Sequence, residues 1–158
     1  MASYGRGYHT YTSVNELSVA LEKYLDEAFD ATINIMYAEL QSMFYHGIYD
    51  VPESEKYSRT YETSTMLRMR EVENGKVQFY FTKQGIEIDN PYHNQLEGLS
   101  GVDFIRLITF DENGDISYGN NNRYGAHSDV IGEMQDYVKN NFKKIYQEQC
   151  KRLGLSLQ

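Results

Sequence analysis

A long helical pattern constrains this chain more than any other feature. After Ser13, apolar residues recur mostly at steps of three and four: Leu17, Leu21, Tyr24, Leu25, Ala28, Ala31, Ile35, Met36, Leu40 and Met43. This spacing predicts an amphipathic helix. Ser13 and Glu16 form the capping box that starts a helix, and Gly47 is typical of the position just beyond a helix end. We therefore predict one helix from Ser13 to about His46, roughly 50 Å long at about 1.5 Å per residue.

A helix of that length exceeds what one small domain can cover. A chain of 158 residues is expected to have a radius of gyration of roughly 15 Å. Either the helix bends near Ala31–Asn34, or part of its stripe packs on another subunit. The suspected contact residues are Ile35, Leu40 and Met43.

Two hairpin patterns follow the first helix. The segments TSTMLRMREV and KVQFYFT flank Glu73-Asn74-Gly75, and VDFIRLITF and DISYG flank Asp111-Glu112-Asn113-Gly114. Asn-Gly supplies the positive φ angles of tight turns, and the flanking residues are β-branched and aromatic. A second helix is predicted from Ser128 or Asp129 to about Leu153, where Gly154 ends it.

The order of these elements predicts an α+β domain. We expect a long N-terminal helix, a four-stranded antiparallel sheet of two hairpins, and a C-terminal helix packed on the sheet. Residues 1–12 are rich in glycine, tyrosine and small polar residues and are expected to form a flexible arm. Residues 13–158 then form a single domain.

Composition narrows the range of partners. The net charge of −8 opposes tight binding to the phosphates of a nucleic acid. Cys150 is the single cysteine, which fits folding in a reducing cytosol. The N-terminus lacks a signal-peptide pattern, and no apolar run is long enough for a bilayer, so we expect a soluble protein without a membrane partner. The 15 tyrosines suit half-buried positions or protein interfaces.

Catalytic and metal-binding patterns are weak in this sequence. His9, His46, His93 and His127 do not occur at metal-ligand spacings. The alternation of Asp111, Asn113 and Asp115 lacks the glycine and glutamate positions of a calcium loop. We therefore expect no cofactor, no metal and no enzymatic activity. The alternatives are a small hydrolase or transferase that uses His93 or His127, and an acidic binding or inhibitor module.

One segment of the sequence carries a more specific pattern than those above. Tyr49-Asp50, Pro52, Tyr57, Arg59-Thr60 and Leu67 lie between the first helix and the first hairpin. This pattern resembles a family of small tailed-bacteriophage proteins that are variously described as head–tail joining, neck, tail-completion or minor capsid proteins. The resemblance covers about residues 15–82 in the order of elements. Tyr61 stands where members commonly have glycine.

The resemblance implies a structural virion protein, made in the cytoplasm of the bacterial host, that acts in head–tail connection or tail completion. It implies other phage structural proteins as partners (a connector, tail tube or terminator) and a homo-oligomer in the particle. Tyr57, Arg59 and Thr60 are then candidate partner contacts. Their chemistry favours a structural use, in which they fix the loop to the sheet, over a direct partner contact, since arginine can clamp a carboxylate and threonine can cap a short helical turn.

Overall fold

The architecture of the computed structural model is α+β, with a long N-terminal helix, a two-stranded antiparallel sheet and a C-terminal helix. The structure describes residues 10–50, 62–73, 75–82, 100–110 and 128–155. The elements in chain order are α1 (Val14–Tyr49), a short 3-10 helix (Glu62–Thr65), β1 (Leu67–Glu73), β2 (Lys76–Phe81), α2 (Gly101–Thr109) and α3 (Val130–Arg152).

The first helix confirms the main prediction and extends it. The Ser13 side chain caps α1 by accepting a hydrogen bond from the backbone N–H of Glu16. The helix runs through Ala31–Asn34 as one element and ends at Tyr49, with Asp50 as its C-cap. Gly47, expected as the residue beyond the helix end, instead lies within the last turn.

The buried side of α1 follows a regular spacing. Six of its seven buried residues lie four residues apart: Ala28, Thr32, Met36, Leu40, Phe44 and Ile48. The seventh is Ile33. Such a row forms a ridge that is inclined to the helix axis and fits the groove of a crossing helix. The described part of α1 before Ala28 contains no buried side chain.

The groove is supplied by α3, which runs antiparallel to α1. Its first residue, Val130, lies against Gly47 near the end of α1, and a Cβ atom built on Gly47 would overlap the Val130 methyl groups. Farther along, the rings of Phe29 and Phe142 meet edge to face at 6.2 Å. We had expected α3 on the sheet, but it packs chiefly against α1.

The first predicted hairpin is confirmed. Antiparallel β1 and β2 pair Leu67 with Phe81 and Met69 with Phe79, and Gly75 takes the positive φ of 73° that the turn requires. The core joins the hairpin to the helices through a cluster of buried residues: Leu40, Phe44, Ile48, Met66, Leu67, Ile105, Val130 and Met134. Full burial of an aliphatic or aromatic side chain contributes about 1.5–3 kcal/mol, so this cluster fixes the hairpin to the helical pair.

The second predicted hairpin is wrong in its first strand. The segment VDFIRLITF forms the helix α2, and the described sheet has two strands rather than four. The side chain of Ser100 accepts from the backbone N–H of Asp103 and its hydroxyl donates to the Asp103 carboxylate. Ile105 and Thr109 are buried one helical turn apart. The cap and this spacing outweigh the strand preference of the β-branched residues. The segment DISYG lies outside the described ranges, as does most of the predicted arm.

Candidate interaction surface

The N-terminal end of α1 projects beyond the part of the helix that the rest of the described chain covers. From Val14 to Lys23, before the half-buried Tyr24 and Leu25, the helix rises roughly 14 Å at about 1.5 Å per residue. Over this length Val14 is 85% exposed, Leu17 46% and Leu21 44%, and Val19 is exposed as well. Contiguous exposed apolar side chains are a feature of interaction sites, whereas singly exposed ones are ordinary.

Three of these side chains share one side of the helix. At about 100° per residue, Val14, Leu17 and Leu21 fall within one narrow sector, which we call the α1 stripe. Glu22 and Glu27 are exposed on the two flanks of the helix, each about 110° from the centre of that sector. Glu27 forms an ion pair with Lys23 at 3.9 Å. The stripe is therefore an apolar row between polar flanks.

Local hydrogen bonds hold the projecting end in helical form. The Glu16 carboxylate accepts from the Thr12 hydroxyl at 2.6 Å and from the Thr12 backbone N–H at 2.9 Å. These two bonds hold the pKa of Glu16 below its ordinary value, the side-chain bond most strongly. The stripe is thus presented on a capped helix.

The predicted contact residues on α1 have different environments. Leu40 is 1% exposed and Met43 packs against the same core cluster, so their own chain already covers both. Ile35 is 40% exposed and remains accessible. Tyr57, Arg59 and Thr60 lie outside the described residues.

The described ends of the segment from Tyr49 to Leu67 are fixed to the core. Tyr49 packs against the core cluster, and its hydroxyl accepts a hydrogen bond from the backbone N–H of Ser64 at 3.1 Å. Leu67, the last residue of the pattern, is buried in that cluster. Asp50 pairs with the His46 Nδ1 at 3.1 Å on the exposed side of the helix. The connection between α1 and β1 is therefore anchored at both described ends.

The outer side of α3 carries the opposite charge to the end of α1. Between Lys139 and Arg152 the helix has five basic residues and one acidic residue. Its exposed lysines, none of which forms an ion pair with a described residue, are Lys139, Lys143, Lys144 and Lys151. The opposite side of α3 packs on α1 through Phe142 and buries Gln149 and Cys150.

A polar groove of about 470 Å³ separates α1 from the hairpin. Asp26 and Asp30 line it from the helix, and Arg70 and Glu71 line it from β1, with Ile33 among its apolar residues. The Arg70 guanidinium is engaged by Gln78 and lies 4.9 Å from the centre of the Tyr80 ring. The groove could accept a cationic group beside its aspartates.

The candidate histidines show no catalytic arrangement in the described part. His93 and His127 lie outside the described residues, and His46 is exposed on α1 beside Asp50. Among the described residues, no group of three or more histidine, cysteine, aspartate or glutamate side chains could hold a metal ion.

Sequence patterns alone did not reveal the basic side of α3 or the exposure of the α1 stripe. A usable signal was present, because the helix that packs on α1 is shorter than α1 itself, with 23 residues against 36. An antiparallel partner of that length leaves one end of the longer helix uncovered. Packing against the partner helix then does not account for the apolar residues at that end.

Comparisons with known proteins give no match. No family model matches the chain, and no curated protein or solved structure is significantly similar to it. Within the described ranges, the helices lack the combination of length and apolar character that a membrane span requires.

Proposed function

We propose that this protein is a structural assembly subunit that binds other proteins through the projecting end of α1. The observation that carries the proposal is the α1 stripe, where Val14, Leu17 and Leu21 are exposed on a capped helix. Removing such surface from water is favourable by about 25 cal/mol per Å². A docked partner would supply this gain.

The helix itself also benefits from a partner. Short helical segments in water are marginal, and most helical stability in proteins comes from packing of an apolar side. Val14 and Val19 are β-branched and lose side-chain freedom in a helix. Docking of the stripe therefore stabilises the segment that the Thr12, Ser13 and Glu16 hydrogen bonds only cap.

The proposed setting is the head–tail connection or tail completion of a tailed bacteriophage. Support for it comes from the resemblance of the segment from Tyr49 to Leu67 to a family of phage proteins. Both end residues of this segment pack in or against the core. The proposed partners are phage structural proteins, such as a connector, tail tube or terminator, together with further copies of this chain. The protein would be made in the host cytoplasm and incorporated into the virion, and it would act through contacts rather than catalysis.

A complementation experiment tests this function. A phage deleted for the gene is supplied with the wild-type protein, with a Leu17→Ser/Leu21→Ser variant, or with Val72→Ser, which alters an apolar residue exposed on the hairpin. We expect the wild type and Val72→Ser to restore infectious particles. The stripe variant should leave heads and tails unjoined or tails incomplete, although it folds. Normal particles in the deletion strain would contradict the virion role.

A second candidate is an acidic binding module, favoured by the groove that Asp26 and Asp30 line. In that case a basic protein would bind at the groove, and Asp26→Asn/Asp30→Asn would weaken the complex. The stripe variant would then bind normally. Calorimetry with both variants separates the two candidates.

A further inference from the structure

We infer that the groove between α1 and the hairpin binds an extended basic segment of a partner protein, with lysine or arginine side chains at alternate positions. The inference goes beyond the proposed assembly function and does not depend on the α1 stripe. It specifies the ligand of the groove that favours the second candidate, a binding module.

The groove has the size and the lining of a ligand site. Its volume of about 470 Å³ lies within the ~300–1,000 Å³ that is usual for such sites. Phe29 and Ile33 line it from α1, and Met69 and Val77 line it from the hairpin. All four residues are buried or half-buried. They provide an apolar surface on which the aliphatic stems of lysine and arginine can lie.

Three carboxylates at the groove have no cation beside them in the described part of the chain. Asp26 and Asp30 on α1 and Glu71 on β1 line the groove, and all three are exposed. None of them forms an ion pair with a described residue. A basic partner would supply the missing positive charge, and such complementarity steers association and fixes register.

The basic residues nearest the groove in the chain are engaged elsewhere. Lys76 pairs with Glu73 beside the hairpin turn. The Arg70 guanidinium donates two hydrogen bonds to Gln78 and lies 4.9 Å from the centre of the Tyr80 ring. The hairpin therefore does not neutralise the groove with its own cations.

The spacing of the carboxylates favours a row of separated charges over a single ion. Among the described residues, no group of three or more acidic, histidine or cysteine side chains could hold a metal ion. Asp26 and Asp30 are separated by a rise of about 6 Å along α1, at about 1.5 Å per residue. Alternate side chains of an extended segment are about 6.6 Å apart, at about 3.3 Å per residue. Alternating basic residues therefore match the two aspartates.

An NMR titration of the isotopically labelled full chain tests the inference. The probe is a short peptide that carries two lysines separated by one alanine. It should bind roughly tenfold more tightly than a peptide of the same composition with adjacent lysines, because adjacent residues of an extended chain point to opposite sides. Acetylation of both lysines should abolish binding. Equal affinity of the two lysine peptides would overturn the extended, alternating arrangement.

Charge variants locate the contact. Asp26→Asn/Asp30→Asn should weaken peptide binding roughly tenfold or more. Glu133→Gln/Asp136→Asn removes two charges from exposed positions of α3 and is the matched control. It should bind the peptide as the wild type does. Equal weakening in both double variants would mean that net charge alone attracts the peptide, which overturns the groove as the site. Circular dichroism spectra and melting curves establish that both variants are folded.

Spermidine separates a partner segment from a free polyamine, because it carries alkylammonium groups without a peptide backbone. Binding of spermidine as tight as that of the peptide would overturn the inferred partner segment. The stripe variant Leu17→Ser/Leu21→Ser should bind the peptide normally. A deletion phage that needs the protein, combined with a wild type that does not bind the peptide, refutes the groove inference and leaves the assembly function standing. Peptide binding by a protein that is absent from particles supports the groove and refutes the virion function alone.

Discussion

The hydroxyl of Tyr49 accepts a hydrogen bond from the backbone N–H of Ser64 at 3.1 Å. This bond links the last residue of α1 to the short helix that precedes β1, so it closes the connection between them. The ring of Tyr49 packs against the core, and the hydroxyl serves the backbone. One side chain thus ties the end of α1 to the short helix before β1.

Tyr49→Phe should lower the free energy of unfolding by about 0.5–1.5 kcal/mol, because the Ser64 N–H loses its acceptor while the ring stays packed. Urea denaturation measures the change. Tyr80→Phe is the control, since the Tyr80 ring rather than its hydroxyl meets Arg70. Equal losses in the two variants would show that the Tyr49 bond has no special weight.

Gly47→Ala should destabilise the fold by about 1–3 kcal/mol, even though alanine favours helices more than glycine does. The added Cβ would collide with the Val130 methyl groups at the start of α3. In a Val130→Ala background the same substitution should cost much less. A double-mutant cycle measures this coupling, and additive losses would place the effect elsewhere.

The pKa of Glu16 should lie below the ordinary glutamate value, chiefly because the Thr12 hydroxyl donates to the carboxylate. The contribution of the Glu16 carboxylate to the stability of the fold is therefore complete above the ordinary glutamate pKa. It is lost as the pH falls through the lowered pKa. Carboxyl NMR titration should show this value rising in Thr12→Ala. If Glu16 titrates identically in both proteins, the Thr12 hydroxyl does not lower the Glu16 pKa in solution.

Burial raises the pKa of the Tyr146 hydroxyl, and Cys150 and Asp26 add to the effect. Because the pKa is raised in the folded state, the contribution of the neutral Tyr146 hydroxyl to stability is complete below the ordinary tyrosine pKa. It disappears as the pH rises through the raised pKa. Tyr146→Phe should therefore lose less stability than the wild type between neutral and strongly alkaline pH. Thermal melts across that range give the comparison, and parallel curves for the two proteins would exclude Tyr146 as a source of the alkaline loss.

The sequence predicted those elements whose local signals agree with one another. The cap at Ser13, the turn at Gly75 and the cap at Asp129 all appear where expected. The end of α3 also agrees, because the Gly154 N–H binds the Lys151 carbonyl and the Leu155 N–H binds the Cys150 carbonyl. This is the pattern of a glycine-terminated helix.

Conflicting sequence signals caused the wrong prediction of a strand. In 102–110 the β-branched residues favoured a strand, whereas the Ser100 cap favoured the helix that forms. On α1, burial follows steps of four: Leu40 lies in that row and in the core, whereas Ile35 lies off it and is exposed. Which residues the second helix covers depends on how the two helices cross, and no local pattern contains that information.

The four-residue ridge on α1 limits how this protein can change during evolution. Each step along the ridge turns by about 40° beyond a full circle, so every buried position between Ala28 and Ile48 depends on its register with α3. A single inserted or deleted residue there would rotate the following side chains by about 100° and turn core residues outward. Before Ala28 no buried side chain of α1 constrains the register. Insertions or deletions at the N-terminal end of α1 therefore change the length of the helix while the core keeps its form.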